Sequence, residues 1–174
     1  MKDKRSSRRE FLQQAAVLSV AAAGSGAADA TELPARSEYP PPTGFAAAPI
    51  DSVRIGFVGV GLQGGSHVQN FLRIEGVEIV GVCDIDEDRA HEVAAWVAAD
   101  GRAMPELYTR GDTDYRRLCE RDDVDLIFNS TPWRWHVPVC VEAMEAGKHT
   151  AVEVPAAYRI DDCWRLVETA ERTA

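Results

Sequence analysis

The sequence predicts an α/β fold built on a doubly wound parallel sheet, and three observations predict it. Short apolar runs alternate with helix-spaced segments about five times between Val53 and Thr173. The runs are continuous in Val and Ile, as in strands buried on both faces, and lack the in-out alternation of a half-wet sheet. The first run also ends in a glycine-rich turn that opens a helix, where such sheets place their ligands.

In order, "VRIGFVG" (53–59) is the first strand, and "SHVQNFLRI" (66–74) is a helix with Val68, Phe71 and Leu72 on one face. "VEIVGVCD" (77–84) is the second strand. "DEDRAHEVAAWVAADG" (86–101) is a helix with Asp86 as N-cap and Gly101 as its stop. "PELYT" (105–109) is a weak third strand and "DTDYRRLCERD" (112–122) a short helix. "VDLIFNST" (124–131) is a strong fourth strand, followed by the helix "HVPVCVEAMEAGK" (136–148), stopped by Gly147. "TAVEVP" (150–155) is the fifth strand and "IDDCWRLVETAERT" (160–173) the last helix.

The first fifty residues read differently. Lys2, Lys4, Arg5, Arg8 and Arg9 form a basic head, Arg8-Arg9 with Phe11-Leu12 leads into a moderately apolar stretch, and "ADA" (28–30) ends it with small residues. Residues 1–30 thus resemble a twin-arginine export signal, which implies a periplasmic or extracellular location; the alternative is a short amphipathic helix at a domain start. "TELPARSEYPPPTGFAAAPID" (31–51) has no period and reads as a Pro/Ala-rich linker. The folded domain is expected over 52–174, enough for one modest core.

Composition narrows the partners. The 174 residues carry a net charge of −9, with a pI near 4.9. The first thirty hold five Lys/Arg against three Asp/Glu, leaving −11 on the rest. Nucleic acid is therefore an unexpected partner. No run reaches the roughly 18 apolar residues of a membrane span, so no membrane insertion is expected once the signal is cleaved. Cys83, Cys119, Cys140 and Cys163 are scattered and form no C-x-x-C, and no cysteine–histidine cluster suggests a metal. A chain exported folded would have folded in a reducing cytosol, so free thiols are expected.

Gly59, Gly61 and Gly64 in "GVGLQG" form G-x-G-x-x-G, with Asp84 twenty residues past the last of them. Strand before, helix after and acid at that distance together make the dinucleotide fingerprint of a Rossmann-type domain. Gly59 allows the tight turn, Gly61 lets main-chain N–H groups approach a diphosphate, and Gly64 lets helix and strand close up. The helix start adds partial positive charge. Asp84 accepts hydrogen bonds from the adenosine ribose and repels a 2′-phosphate, which favours NAD over NADP; Arg89 is placed to soften that preference. The alternative is a glycine turn without a ligand.

The strand order of such a sheet makes the first and fourth strands neighbours, so "TPWRWH" (131–136) lies beside the glycine turn, on the side away from Asp84. Thr131, Trp133, Arg134 and Trp135 then flank a nicotinamide or a sugar ring, or else pack against further protein. His136 either polarises a hydroxyl, as a candidate catalytic group, or caps its own helix. Glu153 and Val154, at the exit of the fifth strand, fall next to this loop.

At these residues the chain resembles the N-terminal NAD-binding domain of the Gfo/Idh/MocA oxidoreductases. The resemblance rests on "VRIGFVGVGLQGG", "EIVGVCDID", "STPWRWHVPVCVEAMEAGKH" and "AVEVPAA". More narrowly, the tryptophan-x-tryptophan-His loop and Glu-Val-Pro resemble glycoside hydrolase family 109, the NAD-dependent α-N-acetylgalactosaminidases. The resemblance implies that Leu62 and Gln63 lie along the diphosphate, and that Trp133 to His136 with Glu153 and Val154 line the nicotinamide. It also implies a sugar substrate, a possible homo-oligomer, and a C-terminal substrate domain that these residues do not reach, so the chain is expected to be truncated. The wider family carries Glu-Lys-Pro, its lysine assisting proton removal from an alcohol; Val154 stands in that place and cannot take a proton. The implied glycosidase mechanism oxidises the sugar at C3, removes the acidified C2 proton, eliminates the aglycone, adds water and returns the hydride. Two alternatives remain: an exported sugar or polyol oxidoreductase of the wider family, and a nucleotide-binding module without turnover.

Overall fold

The structure, a computed structural model, describes residues 50–173, so the expected export signal and all but the last two residues of the expected linker lie outside the described residues. Five strands, β1 (Val53–Val58), β2 (Val77–Cys83), β3 (Glu106–Tyr108), β4 (Leu126–Asn129) and β5 (His149–Val152), form one sheet in the order β3-β2-β1-β4-β5. Every pairing is parallel. The crossovers are helical: α1 (Leu62–Phe71), α2 (Glu87–Ala99), α3 (Tyr115–Cys119) and α4 (His136–Glu145), with α5 (Ile160–Thr173) after the last strand. This is the doubly wound arrangement read from the Val/Ile runs. Among the described residues no helix is long and apolar enough to cross a membrane.

The two faces of the sheet carry separate cores. Phe57, Ile55 and Val60 pack with Val68 of α1 and Val93 and Val97 of α2 on one side, where Phe71 and Phe128 meet Phe57 at 5.6 and 5.3 Å between ring centroids. Tyr108, Tyr115, Leu118, Ile127 and Val139 fill the other. Phe57 is fully buried. β1 sits at the centre of the order, so its C-terminal end is walled by β2 and β4.

Several boundaries agree with the sequence. The Asp86 side chain accepts a hydrogen bond from the Arg89 amide at 3.1 Å, capping α2. Gly101 and Gly147 follow their helices with φ of 83° and 72°. The short third helix (115–119) and the fourth and fifth strands (126–129 and 149–152) are shorter than read, and the largest difference is at the start of the first helix. The first helix starts at Leu62, directly after Gly61, not at Ser66, and ends at Phe71. Glycine is a poor helix former, so "LQGG" reads as loop. Close approach to β1 and β4 overrides propensity there: a β-carbon on Gly64 would collide with the Gly59 carbonyl.

At the opposite end of the sheet, Arg54 of β1 grips Asp125, just before β4. Its Nη2 donates to Oδ1 at 2.6 Å, its Nε to Oδ2 at 2.9 Å and its backbone N–H to Oδ2 at 2.8 Å. The guanidinium holds the Asp125 carboxyl down at about 2, against about 3.9 for an unperturbed aspartate. A carboxyl depressed in the folded state stabilises it fully above the unfolded value, and that stabilisation is lost as pH falls through the folded value. Stability is therefore expected to fall between pH 4 and pH 2, and Asp125→Asn to flatten that part of the profile. Urea midpoints measured at half-unit steps check this; an unchanged slope removes Asp125 from the acid transition.

Candidate functional site

The chain leaves β1 through Gly59, whose φ of 80° lies in the left-handed region. Space forbids a side chain here as well, because a β-carbon would sit 2.8 Å from the Thr131 amide nitrogen. The helix begins at once. Gly61 is the residue before α1, no side chain caps the helix, and the first turn closes with Gly65 N–H donating to Gly61 O at 2.9 Å. A helix leaves its first four N–H groups without intrahelical partners. Here those are the amides of Gly61, Leu62, Gln63 and Gly64, and among the described residues, its chain neighbours apart, nothing lies within 4 Å of a Gly61 β-carbon.

The turn, through Gly59 and Gly61, borders a cleft of about 470 Å³ at the C-terminal ends of β1, β2 and β4. Gly59, Gly61 and Asp84 line it, as do Thr131, Trp133, Arg134 and Trp135. Seven of the sequence-predicted residues are thus brought together. Gly64 lies behind the turn, buried, with its missing β-carbon filled by the Gly59 carbonyl. Leu62 and Gln63 are exposed on the first turn of α1.

Asp84 lies at the exit of β2. Its Oδ2 accepts from the Val60 amide at 2.7 Å and its Oδ1 from the Asp86 amide at 3.0 Å. Each carboxylate oxygen retains acceptor capacity toward the cleft. The carboxylate therefore tethers the glycine turn as well as facing the ligand space, a role the sequence reading did not assign.

The "TPWRWH" loop is organised from beneath by Asn129, a residue the sequence reading missed. Fully buried, it accepts from the Thr131 hydroxyl at 2.7 Å and the Thr131 amide at 3.1 Å, and donates to His136 O at 3.1 Å. Residues 133–135 form one 3-10 turn that runs into α4. Trp135 is half-buried and meets Tyr115 edge-on at 6.1 Å, so it packs within the domain. Trp133 is 60% exposed, with its ring available to a ligand or to further protein.

His136 is the first residue of α4 and is 1% exposed. Its Nδ1 lies 2.8 Å from Pro155 O and its Nε2 2.8 Å from Thr131 O. Both ring nitrogens are turned to main-chain oxygens, and the ring joins the β4 exit to the β5 exit. That geometry is of a positioning group: His136 is the first residue of its helix, as one of the two sequence readings has it, while its ring faces main-chain oxygens, lies outside the cleft lining and makes no cap hydrogen bond to a free amide.

Glu153 and Val154 leave β5 beside α1. Glu153 is in contact with His67, whose ring lies tilted against Phe128 at 4.9 Å between centroids, and Gln63 Nε2 lies 3.5 Å from the same carboxylate. The hydrogen bond from His67 holds the Glu153 carboxyl below the usual range. Val154 is 81% exposed and carries no proton donor or acceptor in its side chain.

Ile85, Tyr115 and Ser130 also line the cleft and were not picked out in the sequence. The position of Ile85, exposed and directly after Asp84, was the signal available. Ser130 Oγ is the buried side-chain polar atom without a hydrogen-bond partner among the described residues. Such an orphan usually signals a partner that is absent. Cys83 also borders the cleft; burial pushes its thiol up to about 12, so it presents no thiolate. All four cysteines are free, with only Cys163 exposed. Open amides, a space over Gly61, a carboxylate on the β2 side and an orphan hydroxyl fit a dinucleotide with a diphosphate at its centre.

Comparison with known proteins gives the same assignment. Residues 53–174 match the Gfo/Idh/MocA family model, described as an oxidoreductase family with an NAD-binding Rossmann fold. Two curated relatives, both named glycosyl hydrolase family 109 protein, are 47% identical (a Shewanella species) and 46% identical (Shewanella putrefaciens) over 130 residues, 75% of this chain. The chain spans 28% of the length of each. Among solved structures, the WlbA dehydrogenase of Chromobacterium violaceum, in complex with NADH and UDP-GlcNAcA, is similar with a TM-score of 0.61 at 26% identity, covering 74% of this chain and 35% of that one. The Lactobacillus casei myo-inositol dehydrogenase, with NAD(H) and myo-inositol, reaches a TM-score of 0.62 at 23% identity, covering 71% and 34%.

Proposed function

This chain belongs to the Gfo/Idh/MocA oxidoreductase family as its NAD-binding domain, and on that premise we propose that it serves an exported glycosidase of the family 109 type, acting on α-N-acetylgalactosaminides. The observation that carries the narrower reading is Glu153-Val154-Pro155: an exposed valine at the exit of β5 holds the place where, by the resemblance, the wider family carries a proton-transferring lysine. The 47% identity to proteins named for that hydrolase family supports it. The basic head and "ADA" of residues 1–30 support export.

When bound, NAD would supply a hydride acceptor and donor, so the net reaction would need no external redox partner. The chain's residues bind and orient. Amides of 61–64 hold the diphosphate, and Asp84 takes the ribose hydroxyls. Trp133 and Arg134 border the nicotinamide half and exclude water from it. Asn129 and His136 keep that loop in place, and His67 holds Glu153 against α1.

A second reading, an exported sugar or polyol oxidoreductase, is favoured by the inositol and sugar-nucleotide dehydrogenases among the structural neighbours. One experiment separates them. Residues 53–173 are grafted in place of the matching segment of the Shewanella relative, and the chimera is given an aryl α-N-acetylgalactosaminide. NAD-dependent release of the aryl alcohol without net NADH is the expected result. NADH accumulating with a sugar or polyol, and no aryl release, overturns the glycosidase reading in favour of the second.

A further inference from the structure

Arg89 lies in the first turn of α2, 28 residues past the glycine turn, yet its side chain reaches back to it. Nε donates to Val60 O at 2.7 Å and Nη2 to Gly61 O at 3.1 Å. Nη1 donates to Glu92 at 2.5 Å, and the guanidinium carbon lies 4.8 Å from the centre of the Trp96 ring. The group passes through the space left by Gly65: a β-carbon there would meet Nη2, the flexible end of the arginine, and force it to shift. Gly65 lies outside the dinucleotide fingerprint and has no φ in the left-handed region, so this passage is the use the structure gives it.

We infer that Arg89 is the positioning residue of the diphosphate turn, seated in the gap left by Gly65, and that it is committed to the protein's own main chain and not to a 2′-phosphate. The physical reason is peptide geometry. In a trans peptide the C=O and the following N–H point in opposite directions. A planar guanidinium that fixes the Val60 and Gly61 carbonyls on the α2 side turns the Gly61 and Leu62 N–H groups the other way, toward the cleft. Asp84 fixes the same turn from its other end by accepting the Val60 N–H. Glu92 and Trp96 hold the guanidinium in place, one by charge and one by its ring face. The preference for NAD that Asp84 sets is therefore not offset by Arg89.

The inference rests on the NAD-site reading above, and a double-mutant cycle in binding affinity tests it. NAD and NADP are titrated calorimetrically into the unsubstituted chain, Arg89→Ala, Gly65→Ala and the double variant, with thermal midpoints alongside. Arg89→Ala is expected to weaken NAD by about tenfold, and NADP by the same factor. Gly65→Ala is expected to reproduce the loss with the arginine still present, and the double variant to bind no worse than Arg89→Ala, because both changes remove one interaction. Arg89→Lys, which keeps a donor but not the fork, is expected to recover part of the affinity; should Gly65→Ala not fold, that rescue carries the test. Loss confined to NADP, unchanged NAD affinity in Arg89→Ala, or losses that multiply in the double variant overturn the inference. An unsubstituted chain that binds neither dinucleotide overturns it together with the NAD-site reading.

Discussion

Asp84→Ala is expected to weaken NAD binding by about 1.5–3 kcal/mol, the range for a lost hydrogen bond to a charged group, or roughly 10- to 100-fold in Kd. Two losses combine. The ribose loses a charged acceptor, and the Val60 amide, whose residue is fully buried, loses the oxygen 2.7 Å away that fixes the turn. The same change removes the charge that repels a 2′-phosphate, so the ratio of NADP to NAD affinity is expected to rise. Calorimetric titration of both dinucleotides checks both statements. An unchanged Kd for NAD removes Asp84 from the site, and an unchanged ratio removes it from cofactor selection.

Gly64→Ala is expected to damage the fold itself. Its β-carbon would meet the Gly59 carbonyl oxygen and carbon and approach Ser130 Cβ at 3.3 Å. Two of those three atoms are main chain and cannot rotate away, so α1 must lift from β1. Overpacking of this kind costs about 1–3 kcal/mol or more, a fall in Tm of roughly 4–12 °C for a domain of this size. NAD affinity should fall with it, because the open amides of 61–64 move with the helix. A variant with an unchanged Tm would mean that α1 does not approach β1 as closely as described here.

The parts of the fold legible in the sequence are those written in local pattern. Continuous Val/Ile runs announced a parallel sheet, and the glycine turn with Asp84 fixed which strand is central. Asp86, Gly101 and Gly147 marked helix ends because capping and stopping are local chemistry. The start of α1 was not legible, since Gly64 and Gly65 are poor helix formers held there by contacts with Gly59 and Arg89. The same reason hid the supports of the site. Asn129 lies within the run read as the fourth strand, and its four hydrogen-bonding contacts to Thr131, Trp135 and His136 exist only once the loop has folded over it. His67 lies in the helix after the glycine turn, and only the sheet order brings Glu153 to it. Trp135 and His136 had two readings each because exposure is a property of the fold: Trp135 packs on Tyr115, and His136 bridges two main-chain oxygens.

The central claim is that the amides following β1 cradle a dinucleotide diphosphate in the space over Gly61. Its most direct test is NAD titration of the chain and of Gly61→Val, with Tm recorded for both. Among the described residues, its chain neighbours apart, a β-carbon at Gly61 meets no atom within 4 Å, so the substitution should leave the Tm within a few degrees while it fills ligand space. Saturable one-site binding by the chain, and at least about tenfold weaker binding by the variant, is the expected outcome. Absence of binding heat with the unsubstituted chain, or equal affinity in the two, contradicts the claim.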